Sequence, residues 1–344
     1  MRYYLPTDFT DEKLRFVAQI GVDGVYGSPE PGPTDRGYYD YHHMVSLKSK
    51  VESYGLKYYS IRLGPWPWVY KWMLGLPGKD EQLENLMKTI RNMGAAGIPI
   101  FTYNMHVLRY YRTSQDEAGR AGTRATSFDF EKVRNAPLMS TGPGADSSLI
   151  PAEHRKPVSD EQMWSNLEYM LKAIVPVAEK AGVRLALHPD DPPIPSIAGV
   201  ARIMRSPEAY RRLIKIDRSE ANGMHFCQGC FTEMGADIPA EIRFFGKQNR
   251  IVAIDFRNIL GNVNDFRETF PDEGQADMAA AMEAYLDAGV EGPMCPDHAI
   301  HMDGDTAWGH RYWAYAIGHM KGLEQALRHK GSGGAPKKAR KQAE

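Results

Sequence analysis

The 344-residue chain has little cysteine, no excess of either charge and no long apolar run. Each shortage removes a class of protein. The three cysteines, Cys227, Cys230 and Cys295, all fall in the second half of the chain and cannot all pair. That excludes a disulfide scaffold and leaves a thiol to serve as ligand, nucleophile or packing in a reducing compartment. Cys227 and Cys230 stand in "CQGC", but a redox CxxC normally opens a helix near the start of a small domain. Lys and Arg number 42 against 43 Asp and Glu, a net charge of −1, so nothing in the bulk attracts nucleic acid or an anionic membrane. No stretch approaches the roughly 18 apolar residues of a membrane span. The opening Met1 to Asp8 lacks a signal peptide's apolar core, so a cytoplasmic protein is expected. A phosphate-cradling turn is missing too: "GVDGVYG" at 21–27 has the wrong glycine spacing for a dinucleotide fold, and there is no P-loop.

What is present is alternation. Short β-like runs occur at Tyr3–Leu5, Val22–Tyr26, Leu56–Leu63, Ile98–Tyr103, Val183–Leu187, Gly223–Phe226, Ile251–Ile254 and Gly292–Cys295. Helical patterns lie between them. Thr10 precedes a helix carrying Leu14, Val17 and Ala18, which Gly21 ends. Leu83, Leu86, Met87, Ile90 and Met93 form a core-facing stripe. Ser159 and Gln162 read as a capping box before Met163, Leu167, Leu171, Ile174 and Ala178, with Gly182 as the stop. Eight strands separated by helices predict an α/β fold, a (β/α)8 TIM barrel, in one domain spanning 1–330. Residues 104–158, after the fourth strand, have little apolar periodicity and are expected to be a loop insertion or lid. Residues 331–344, "GSGGAPKKARKQAE", read as a flexible basic tail.

Barrel enzymes work at the C-terminal ends of their strands. There the sequence places His188, Cys227, Asp255 and Asp297, from the fifth to the eighth strand in order. Singly, each has an ordinary explanation. A strand-end histidine is usually a hydrogen-bonding partner, a cysteine a small apolar residue, and Asp255 a mate for Arg257. Jointly they assemble N, S and O donors at one rim, which points to a divalent metal, Mn²⁺ or Fe²⁺ with Zn²⁺ as a third choice. Tyr103 and Asn104 end the fourth strand, and Arg257 and Asn258 follow Asp255. These four are the expected substrate-binding groups, an arginine suiting a carboxylate. His298, beside the expected ligand Asp297, has the profile of a general acid or base. Proton abstraction next to a carboxylate or carbonyl follows, on a sugar acid or hydroxy acid.

Those residues, with "GIPIFTYN" at 97–104, "ALHPDDPP" at 186–193, "CQG" at 227–229, "DFRN" at 255–258, "FRETFPDEGQADM" at 266–278 and "GPMCPDH" at 292–298, resemble the mannonate dehydratase family, a group of xylose-isomerase-like barrels. Arg112-Thr113 matches as well. The resemblance covers most of 20–325. It implies metal ligation by His188, Cys227 and Asp297, and acid–base work by His298 with a downstream tyrosine, for which Tyr312 is the candidate and His301 or His310 the alternatives. Three positions depart from the family. Asp255 stands where "HFRN" has histidine. Cys295 stands where "RPDH" has arginine. "SIRLGPWPW" at 60–68, with Trp66, Trp68 and nearby Tyr70, replaces a glutamate-containing run. The implied reaction dehydrates D-mannonate to 2-dehydro-3-deoxy-D-gluconate through an enediolate. The alternative is a related metal-dependent isomerase, epimerase or lyase acting on another hydroxylated substrate. The expected partners are a small-molecule substrate and copies of the same chain, with neither nucleic acid nor membrane.

Overall fold

The computed structural model describes residues 1–29, 36–63, 66–142 and 150–331. The basic tail lies outside the described residues from 332 onward, as do residues 64 and 65 of the 60–68 run and the side chain of Trp66. Eight parallel strands close into a barrel: β1 (Arg2–Pro6), β2 (Gly24–Tyr26), β3 (Lys57–Arg62), β4 (Ile100–Tyr103), β5 (Arg184–Leu187), β6 (Asn222–Cys227), β7 (Ile251–Asp255) and β8 (Pro293–Cys295). Each overlaps one of the eight expected runs. Neighbours follow chain order, and β8 pairs with β1 to close the ring.

The helices wrap this barrel and bury the stripes read from the sequence. In the helix Asp160–Ala181, Met163, Leu167, Leu171, Ile174 and Ala178 are all fully buried. Each of the four larger side chains, Met163, Leu167, Leu171 and Ile174, contributes about 1.5–3 kcal/mol relative to an exposed one. Ser159 caps the helix by accepting from the Gln162 amide, and Gly182 ends it in the left-handed region at φ 67°. The reciprocal half of the capping box is absent, because the Gln162 side chain donates to Asn166 instead. Thr10 makes no cap either; its hydroxyl donates to Asp8 at the start of the helix Asp11–Gln19. Leu83, Leu86, Ile90 and Met93 face inward from Lys79–Ala96, with Met87 half-buried at the stripe's edge.

The segment 104–158 is more ordered than its composition suggests. Ser114–Ala118 and Arg124–Asp129 are strands. They join the hairpin Asn258–Asn262 and Asp265–Thr269, which follows β7, in a four-stranded antiparallel sheet. Its apolar part is small: Phe128 sits in register with Phe266, ring centroids 5.9 Å apart, both buried. Several of its charged side chains pair with groups outside the sheet, Glu268 with Arg112 and Arg257, and Arg267 with Glu273, so little apolar alternation marks it. Two remote stretches of chain are thereby brought together at the catalytic end of the barrel. No helix among the described residues is long and apolar enough to cross a membrane.

Candidate active site

All four expected metal ligands converge. In-register pairing sets Cys227 opposite Asp255, and Asp255 opposite Cys295. Cys227, Asp255 and Asp297 each hold a donor atom within 4.8 Å of the others, and His188 does so with Cys227 and Cys230. His188 Nε2 is 3.3 Å from Asp255 Oδ2. A fifth group was not anticipated. His225 lies fully buried one pleat below Cys227, with Nε2 2.8 Å from Asp255 Oδ1 and its ring 5.2 Å from that of His188. The period of two along a strand was the available signal, since 225 and 227 must share a face. Asp255 does not pair with Arg257; it answers to the two imidazoles.

These contacts are short, yet both carboxylate oxygens of Asp255 and both ring nitrogens of His225 lack an aligned hydrogen bond. Buried polar atoms left this way call for an explanation, and a bound ion is a standard one. The donor set of imidazole, thiolate and carboxylates fits a first-row divalent metal. The charge states agree. Burial would raise Asp255, but His225, His188 and Arg62 hold it well below the usual carboxylate range. Burial would likewise raise Cys227, but Cys230, Arg257 and His188 hold it well below a free thiol. A thiolate is the ligating form.

Beside this cluster runs a second layer of buried charge. Arg112 makes two bonds to Asp191, at 2.5 and 2.8 Å, and one to Glu268 at 2.7 Å. Arg257 reaches Glu268 at 2.9 and 3.0 Å, Asp191 at 3.1 Å and Glu233 at 3.2 Å. Its Nε and Nη2 also donate to the sulfurs of Cys227 and Cys230, at 3.2 and 3.1 Å. Arg257 therefore does not line the cavity as expected of a substrate group. It is a clamp between the thiols and three acids. Asn258 is equally occupied, donating to the Pro271 and Ala276 carbonyls and accepting from the Ala276 amide. Tyr103 is buried and stacked on Phe101, outside the cavity wall. Of the four expected substrate groups, Asn104 alone lines the cavity.

That cavity, about 730 Å³, opens over the metal-type cluster and is walled by Arg62, His106, Tyr110, His188, Asp191, Glu268, Asp297 and His298 among others. His298 projects into it. Glu268 Oε1 holds its Nδ1 at 2.8 Å, and its Nε2 is 3.2 Å from Asp297 Oδ2. Burial works against a charged His298, but Asp297 and Glu268 raise its pKa above the usual value. Burial would also raise Glu268, yet Arg257, His298 and Arg112 hold it at about 2. Glu268 is thus a fixed anion that orients the imidazole. Asp297 and His298 sit at φ 42° and 32°, a left-handed conformation that non-glycine residues adopt only when held there.

Tyr312 does part of the holding. Its hydroxyl is shared between the Pro296 and Asp297 carbonyls, at 3.2 and 3.0 Å, so it turns away from the cavity and positions the His298 loop. A phenol committed to main-chain carbonyls is unsuited to the proton-transfer role expected of it. The alternatives fare no better. His310 bonds to Thr306 beside the Phe16 and Trp308 rings, and exposed His301 makes a backbone bridge to Arg124.

Comparisons with known proteins place the chain in a family. The D-mannonate dehydratase (UxuA) family model matches residues 1–332. The mannonate dehydratase of Streptococcus pneumoniae is 33% identical over 324 residues, covering 89% of this chain and 87% of that protein. The Thermotoga maritima mannonate dehydratase is 32% identical over 343 residues, with 91% and 93% covered. A crystal structure of mannonate dehydratase from Streptococcus suis superposes with a TM-score of 0.85 at 29% identity, covering 100% of this chain and 99% of that one. An L-ribulose 3-epimerase, at 14% identity and a TM-score of 0.59, shares the barrel fold. This chain belongs to the D-mannonate dehydratase family, a family of hydro-lyases.

Proposed function

We propose that the protein dehydrates D-mannonate, or a closely similar sugar acid, to the 2-keto-3-deoxy acid. The observation that carries this reading is the convergence of a metal-type donor cluster and an oriented imidazole on one cavity. His188, Cys227, Asp255 and Asp297 would hold a divalent ion, Mn²⁺ or Fe²⁺ by donor type, with Zn²⁺ as the third choice. The ion's contribution is to stabilise negative charge on substrate oxygen as C2 loses its proton.

The chain's own groups do the rest. Glu268 keeps the proton on His298 Nδ1, which leaves Nε2 to exchange a proton with the substrate. The step removes H⁺ from C2, gives an enediolate, and expels the C3 hydroxyl as water once that oxygen is protonated. His298 serves at one end. Tyr110, on the cavity wall with its ring 6.3 Å from that of His298, is our candidate for the other in place of Tyr312. The second reading, isomerisation or epimerisation of another hydroxylated substrate, shares the enediolate and differs in where the proton returns. The departures at Asp255 and Cys295 are what favour it.

The test is incubation of the Mn²⁺-loaded protein with D-mannonate. A 2-keto-3-deoxy acid is expected, and its formation should vanish in His188→Ala. Metal-loaded protein that yields no keto acid rejects the dehydratase reading, and an epimer among the products supports the second.

A further inference from the structure

Arg62 ends β3 and reaches the floor of the cavity. Its guanidinium lies over the Tyr26 ring, 4.2 Å from the centroid, which fixes the plane of the group. Its side chain is 39% exposed, so it faces the cavity rather than the core. Nη2 is 4.0 Å from Asp255 Oδ1, an ion-pair distance too long for a hydrogen bond, and has no hydrogen-bond partner even though it is shielded from solvent. The other arginines beside the site, Arg112 and Arg257, spend their donors on Asp191, Glu233 and Glu268. Arg109, the remaining arginine among the described residues of the cavity wall, is exposed.

A guanidinium is always charged and carries five N–H donors in a planar fork that matches a carboxylate. Leaving part of it unpaired at the closed end of a cavity costs free energy unless a ligand completes it. The charge arithmetic points the same way. Asp255 already faces two imidazoles, and a cation held there would leave Arg62 beside a like charge. An anionic ligand group between the two removes that repulsion.

We propose that Arg62 is the carboxylate-binding and specificity-determining residue of this site, gripping the acid end of a sugar acid through the cavity-facing edge of its guanidinium. This rests on the reading of the site as one for sugar acids. It predicts discrimination of an aldonate from the matching uncharged alditol.

The test compares Arg62→Gln and Arg62→Lys with the unmodified chain, all loaded with Mn²⁺ and checked for metal content. KM and kcat for D-mannonate are measured with inhibition constants for D-gluconate and D-mannitol. Arg62→Gln should raise KM and the gluconate constant about 30-fold, the loss of a charge-assisted pair, with kcat and the mannitol constant within about threefold. Arg62→Lys should recover part of the loss, because it restores charge without the fork. A gluconate constant within about twofold of the unmodified chain overturns the proposal, as does equal weakening of gluconate and mannitol. Loss of Mn²⁺ from Arg62→Gln also overturns it, by making Arg62 a structural mate of Asp255. If the unmodified chain does not turn over D-mannonate, the dehydratase reading fails separately. Direct titration of gluconate and mannitol into the three proteins then still decides Arg62, and gluconate binding no tighter than mannitol rejects it.

Discussion

The imidazole of His298 is the group on which the proposed chemistry turns. Its Nδ1 is fixed by Glu268 and its Nε2 faces Asp297 and the cavity. Replacing it with Gln keeps the size and a polar end but removes proton transfer. The expected loss in kcat is about 10²- to 10⁴-fold with bound metal unchanged. Near-normal turnover in His298→Gln would remove His298 from the mechanism. His225 is a different case, because it touches no cavity and acts on Asp255. His225→Leu should weaken Mn²⁺ affinity by about 10- to 100-fold, the usual effect of losing a partner that orients a ligand. Competition with a chelator measures this directly; unaltered affinity would make His225 packing alone. Tyr312→Phe should cost about 1 kcal/mol of stability for one buried hydrogen bond and lower kcat through the misplaced 297–298 backbone. A phenylalanine variant inactive yet fully stable would restore Tyr312 to the acid–base role.

At the level of elements, the barrel was legible because its signals are local. Each strand is an apolar run between turn residues, and each helix carries a stripe of period 3.6. The His188, Cys227, Asp255 and Asp297 positions followed from strand ends alone, with no knowledge of what packs around them. The accessory sheet was illegible for a physical reason. Its strands Ser114–Ala118 and Asp265–Thr269 are held by backbone pairing and by charges whose mates lie far away, such as Arg112 with Glu268 across 156 positions. No window of sequence shows such a pair. Orientation was equally hidden: Arg257, Asn258 and Tyr312 lie in the right neighbourhood but are consumed by Glu268, Pro271 and Asp297. Gly229 illustrates what the packing demands. It sits in the short helix Gln228–Glu233, and a Cβ there would come within 2.3 Å of Arg257 Nη1 and 2.5 Å of its Cζ. Gly229→Ala should therefore push Arg257 off its partners and destabilise the protein by roughly 3 kcal/mol, as breaking a buried ion network does. Urea unfolding reports it; a shift under about 0.5 kcal/mol would mean the clamp tolerates displacement.

The whole molecule gathers its buried charge at one end, and that sets its response to acid. Two buried groups, His106 and Glu268, make the fold less stable in acid, while Asp190, raised by burial to about 6, works against them between about pH 6 and 4. Burial first, then Arg202 and His188, lower His106 to about 3, so the folded state keeps it neutral. Glu268 is held at about 2 against burial by Arg257, His298 and Arg112. Both folded values lie below the ordinary ones, roughly 6.5 for His and 4.3 for Glu. The unfolded chain therefore takes up protons first as pH falls, and stability is lost with each proton it gains. His106 costs nothing above about 6.5 and lowers stability progressively as pH falls toward its folded value. Glu268 contributes fully above about 4.3 and loses its contribution toward pH 2. Unfolding free energy, measured in urea from pH 8 to pH 3 in the presence of chelator, should be flat at first. It should then fall just below about pH 6.5, level off between about pH 6 and 4 where proton uptake by folded Asp190 offsets that by unfolded His106, and fall again once Glu268 joins, each group weighing up to about 1.4 kcal/mol per unit in its window. His106→Asn should remove the fall near pH 6.5 and let stability rise toward about pH 4, where Asp190 is protonated only in the fold, before the Glu268 limb. A variant whose profile between about pH 6.5 and 4.5 is unchanged would show that His106 is not the group protonated there. The acid limit of the fold would then rest on the Arg112, Arg257, Asp191 and Glu268 network alone.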